Sequence, residues 1–156
     1  MILLSVTVLA AVSCADATQK KSARYMSERF ELCINIPDQS RYQLVKESID
    51  YDTGQLFMNG NKVDVYIGQN PPFSGPVWSK GENVTPGFIL VGKETVGGVQ
   101  KILIGHKRYA RRGPLFVMFS GKNIADIEKS LVEEDFVFDC SVADEIGSEN
   151  GNWRQH

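Results

Sequence analysis

"MNGNKVDVYIG", residues 58–68, contains the clearest chain reversal in the sequence. A two-residue hairpin turn of type I′ needs positive φ at both central positions, which glycine adopts without strain and asparagine tolerates, so Asn59-Gly60-Asn61 reads as a hairpin. Beyond it Val63, Val65 and Ile67 face one way while Lys62, Asp64 and Tyr66 face the other. That period of two is a strand with one buried face and one wet face. Leu56 to Met58 supplies the strand that enters the turn. An antiparallel β fold is the expectation that follows.

Upstream, Tyr42 to Tyr51 reads as extended chain, and Asp52-Thr53-Gly54 as the turn after it. Phe30 to Ile36 alternates and stops at Pro37, a first strand. Downstream, "GQNPPFSGPVWSKGENVTPG" (68–87) is rich in Pro, Gly and Asn and carries Phe73 and Trp78. A connection of that length is usually functional or packed on itself. Phe88 to Val91 resumes as a buried strand, and Gly97-Gly98 turns the chain into Val99 to Ile104, a register that sets Glu94 opposite Lys101. Leu115 to Phe119 is a further strand. Ile124, Ile127, Leu131 and Val132 then share a helical face, with Asn123 as N-cap, and Phe136 to Cys140 closes the chain as a strand. The expected architecture is α+β: one antiparallel-rich sheet of about six to eight strands with one late α-helix packed on it. Residues 29–145 form the single domain, 18–28 a tether and 146–156 a flexible tail.

Ile2 to Val12 is uncharged and apolar. It falls short of the roughly 20 residues that span a bilayer and matches the hydrophobic region of an export signal, residues 1–17. Ala11-Val12-Ser13-Cys14 resembles the lipobox of bacterial lipoproteins, with Ala11 where leucine is usual. The resemblance implies lipidation of Cys14, a membrane anchor and a periplasmic location, on the outer membrane. Ala15-Asp16-Ala17 offers ordinary A-x-A cleavage instead, and a plain buried segment is the third reading. No base precedes the apolar run, so the true start is expected upstream. Either export reading leaves Cys33 and Cys140 as a pair, expected to be disulfide-bonded in an oxidising compartment, with two buried thiols as the alternative.

Across 156 residues the formal net charge is −2, which argues against bulk nucleic-acid binding. The near balance hides a dipole. Between Thr95 and Ala125 all charges are positive, whereas from Asp126 to Glu149 Lys129 is the lone base. Catalytic and metal motifs are weak. "DYDTGQ" (50–55) lacks the ligands of a calcium loop, "FSGKN" (119–123) lacks the first glycine of a P-loop, and Glu133-Glu134-Asp135 reads as a solvated face. His106 has no orienting acid nearby in sequence and reads as a surface histidine. Asn83-Val84-Thr85 is a glycosylation sequon, relevant in a eukaryotic source. No catalytic residue, metal or cofactor is expected.

"GHKRYARRGP" (105–114) places base on both faces of an extended chain, so it should project as a loop. Lys107, Arg108, Tyr109, Arg111 and Arg112 have the composition of binding hot spots, with Phe73 and Trp78 as a second candidate surface. A solvated loop that maintains solubility is the plain alternative. The profile resembles periplasmic lipoproteins that act as inhibitors or immunity proteins. It implies a non-enzymatic, envelope-anchored module that binds a protein partner, a secreted enzyme that attacks the cell envelope. An accessory lipoprotein of an envelope assembly is the alternative, and an enzyme acting on envelope glycan the third.

Overall fold

The computed structural model describes residues 21–76, 81–107, 113–132 and 136–140. Among them, nine strands form two antiparallel sheets with one short helix. The larger sheet has six strands in the order β3 (Arg41–Glu47), β4 (Tyr51–Met58), β5 (Asn61–Gly68), β8 (Phe116–Gly121), β7 (Val99–His106) and β6 (Phe88–Val96). The smaller is β1 (Lys21–Ser27), β2 (Leu32–Pro37) and β9 (Val137–Asp139), with β2 in the middle. Helix α1 covers Ala125–Leu131. The α+β expectation stands in its coarse form, while the strands divide between two sheets instead of filling one.

Both glycine-bearing turns sit where the sequence places them. Met58 pairs with Asn61 across Asn59 (φ 50°) and Gly60 (φ 76°), and Val96 pairs with Val99 across Gly97 and Gly98, also at positive φ. Strands β6, β7 and β8 form a meander. The long connection after β5 then carries the chain to the far edge, so that β8 returns beside β5 in a Greek-key order.

Three segments differ from expectation. The polar stretch read as a tether is strand β1 from Lys21 onward, paired with β2 through Tyr25 opposite Cys33. Its sequence hides this because the backbone ladder makes the strand, and Met26 is its one buried apolar side chain. The turn after β3 lies at residues 48–50, closed by the Ser48 N–H donating to the Tyr51 carbonyl at 2.9 Å. Asp52-Thr53-Gly54 lies instead inside β4. Gly54 makes room for an aromatic ring, since a Cβ there would lie 2.1 Å from the Tyr42 hydroxyl. At the helix, Ile124 occupies the N-cap and Asn123 accepts from the Ala125 N–H at 3.2 Å, while Val132 is 72% exposed.

One core fills the space between the sheets. Leu56, Val65, Ile67, Ile104, Val117 and Phe119 on the inner face of the large sheet meet Leu32, Ile34 and Ile36 of β2. Ile124, Ile127 and Leu131 close the same core. Each such side chain contributes about 1.5–3 kcal/mol by leaving water, so this opposition of two faces is what holds the sheets together.

Candidate functional site at one end of the sheets

Tyr51, Gly68, Phe116, Gly105 and Ile89 fall in one row across β4, β5, β8, β7 and β6. The connections after β5, before β6 and between β7 and β8 therefore gather at the same end. Here the basic segment leaves the sheet. The His106 N–H donates to the Leu115 carbonyl at 2.9 Å, and the Lys107 N–H to the Gly87 carbonyl at 2.8 Å. Exposed Lys107 also donates from Nζ to Asn83 Oδ1. The segment returns at Gly113, whose φ of 93° favours glycine. A Cβ there would come within 3.2 Å of the Gln69 amide. Lys107 thus stands at the root of the basic segment. Arg108, Tyr109, Arg111 and Arg112 lie outside the described residues, as do Trp78 and Cys14.

His106 is not a surface residue. Its side chain is 3% exposed, Nε2 lies 2.7 Å from Asp139 Oδ1, and the ring meets Phe88 edge-on at 4.8 Å. The pair joins β7 to β9 and so couples the two sheets beside the basic segment. Asp139 follows from the register, since it pairs with core-facing Leu32 and so faces the large sheet. Its neighbour Cys140 lies against Cys33, with Cα atoms 5.2 Å apart, a disulfide-compatible pair. Sequence reading misses the histidine's partner because 33 residues separate the two. The alternation of Ile102, Ile104 and His106 was the available signal, for it puts the imidazole on the core side of β7.

Phe73, read from sequence as part of a second candidate surface, is half-buried. The long connection crosses the outer face of the large sheet as a strap, and Phe73 packs half-buried on Val91, Leu103 and Met118. Lys101 Nζ donates to the Pro72 carbonyl at 2.9 Å, and Glu94 Oε2 accepts from the Ser74 N–H at 3.2 Å. From residue 81 the connection lies along the edge of β6, where the Leu90 N–H reaches the Glu82 carbonyl at 2.7 Å. Phe73 is a structural anchor of the strap.

Two ion pairs mark the β6 edge of the large sheet. Lys93 pairs with Glu128 at 3.0 Å and Lys101 with Glu94 at 2.8 Å, and both pairs line a hollow of about 260 Å³. The hydrogen bond from Lys101 and the backbone N–H of Ser74 hold the Glu94 carboxyl below its ordinary range, against the opposing effect of its burial. Among the described residues, no group of three or more His, Cys, Asp or Glu is placed to hold a metal ion. No helix among them is long and apolar enough to cross a membrane. No protein-family model, curated protein or solved structure matches this chain.

Proposed function

We propose that the chain is an exported, envelope-anchored binding module, an inhibitor or immunity protein that blocks a secreted enzyme attacking the cell envelope. The observation that carries this reading is the fixed root of the basic segment. Lys107 is held by Gly87 and Asn83, and the preceding His106 is buried against Asp139. Binding residues are characteristically presented on loops that a rigid scaffold positions. Arg108, Arg111 and Arg112 supply guanidinium forks that match carboxylates in two-point geometry, and Tyr109 supplies a stiff amphipathic ring. An enzyme whose cleft carries catalytic acids is the complementary target. Lipidation of Cys14 would hold the module at the membrane where such an enzyme acts, and the proposed role requires no cofactor and no chemistry of its own.

The test is co-expression of the full chain with the secreted enzyme encoded beside it, in a bacterial host that exports both. The expected result is a stable complex and restored growth, with mass spectrometry of the membrane fraction finding an acylated Cys14. An enzyme that kills equally fast with and without the chain, and that forms no complex with it, would overturn the reading.

A further inference from the structure

The register of the large sheet aligns one residue from each of its six strands into a single polar row on the outer face. In order the row is Gln43, Gln55, Asp64, Ser120, Lys101 and Glu94. Lys101 and Glu94 are occupied with each other and with the strap. Gln55, Asp64 and Ser120 line an open groove of about 300 Å³, with Asp64 facing Lys62 at 3.7 Å and the Ser120 hydroxyl donating to the Asp64 carbonyl at 3.4 Å. The neighbouring row contributes Thr53, Tyr66 and Met118 to the same groove. Pro72 of the pinned strap forms one wall, and Val45 of the bulged edge strand the other. We infer that this groove is a binding site for a neutral oligosaccharide, independent of the basic segment and of the function proposed above.

Three features select that ligand class. The amide of Gln55 and the hydroxyl of Thr53 can each donate and accept, while Asp64 and the Ser120 oxygen accept, a set that matches the hydroxyl groups of a sugar. They recur at the interstrand spacing of about 4.8 Å, so a chain of repeating units can be met along the row. The rest of the groove lining is largely apolar, with Val45, Pro72, Met118 and the partly buried Tyr66 ring. Tyr66 is stacked on Tyr51 with ring centroids 5.5 Å apart, and its hydroxyl donates to the Asn70 carbonyl at 2.9 Å, which fixes the ring before any ligand arrives.

The same surroundings disfavour other ligands. An anion would meet the Asp64 carboxylate, while the nearby cations are already engaged. Lys62 pairs with Asp64 at 3.7 Å, Lys46 donates to the Tyr51 hydroxyl at 3.0 Å, and Lys101 is bound to Glu94. An extended peptide recognised through its backbone needs a free sheet edge. The strands that carry the groove's polar row, β4, β5 and β8, each have hydrogen-bonded neighbours on both sides, and the edge strand β3 contributes Val45 alone.

The test is a two-dimensional amide NMR titration of the full chain with trisaccharides of glucose, galactose and N-acetylglucosamine, alongside a tripeptide control. At least one sugar should give saturable shifts centred on Thr53, Gln55, Asp64, Tyr66 and Ser120. Gln55→Ala and Asp64→Ala should each weaken that sugar about tenfold, the equivalent of one hydrogen bond, with melting unchanged. Absence of saturable shifts there with all three sugars would overturn the inference. So would equal shifts from the tripeptide, or variants that bind like the parent. The complex with the secreted enzyme is a separate readout, so either idea can fail alone.

Discussion

A carboxylate without exposed surface is stable only where its oxygens are engaged. Asp52 is 0% exposed, and it accepts from Ser27 Oγ at 2.5 Å and from an Arg29 nitrogen at 2.7 Å. The other terminal nitrogen of Arg29 donates to the carbonyls of Ser48 and Ile49. This one buried acid therefore braces the β3–β4 turn against the β1–β2 turn. It also acts on Tyr42, whose hydroxyl donates to the Met26 carbonyl. Burial first, and then the Asp52 charge, push that phenol well above its ordinary value. Removing Asp52 leaves Ser27 and Arg29 without their partner. Asp52→Ala should cost about 3 kcal/mol, at the lower end for a broken buried pair because Arg29 is partly solvated. Urea unfolding measures this directly. A midpoint equal to that of the parent would show that the brace does not hold the sheets.

The strap over the large sheet depends on the Glu94–Lys101 pair, and this gives it a defined response to acid. Lys101, the largest cause, and the Ser74 N–H hold the Glu94 carboxyl below its ordinary value. The unfolded chain therefore binds that proton more readily than the folded one. The stabilisation is complete above an ordinary glutamate pKa of about 4.3, and it is lost as pH falls through the lower folded value. Hydrogen-exchange protection of the Ser74 amide should fall over that acid window in the parent. In Glu94→Gln it should be lower at neutral pH and nearly independent of acid. Matching profiles would remove the pair from any role in holding the strap.

The Glu94–Lys101 pair was legible in the sequence because Gly97-Gly98 fixes the register locally. Asn59-Gly60 and the alternation from Lys62 to Ile67 were legible for the same reason. The strap was visible only as composition, since Phe73 meets Val91, Leu103 and Met118 through tertiary contact. Asp52-Thr53-Gly54 misled because its residues favour turns locally, while a buried brace and the Tyr42 ring use them inside a strand. Strand β1 was hidden by its polar side chains.

Cys33 and Cys140, 107 positions apart, tie the small sheet to the end of the described chain, next to the Asp139 that grips His106. A bridge across so long a loop restricts the unfolded chain strongly. Replacing both with serine should lower stability by up to about 4–5 kcal/mol. Equal unfolding midpoints for the parent under oxidising and reducing conditions would contradict a disulfide role. The pairing was inferable by counting cysteines. The basic segment was visible as charge, but its supports were not, for Asn83, Gly87 and Asp139 arrive from distant stretches of the chain.

Lys107 and Gly113, the described residues on either side of the basic segment, stand at one braced end of a two-sheet body. The most direct measurement is the dissociation rate of the full chain from the kind of partner the proposed function assigns to it, a secreted envelope-attacking enzyme. Parent, Arg108→Ala, Arg111→Ala and Arg112→Ala should be compared at low and high salt. An arginine buried against an acidic cleft predicts a loss of about 2–5 kcal/mol for at least one variant, expressed as faster dissociation at both salts. If all three variants dissociate like the parent at both salts, the basic segment is not the binding surface.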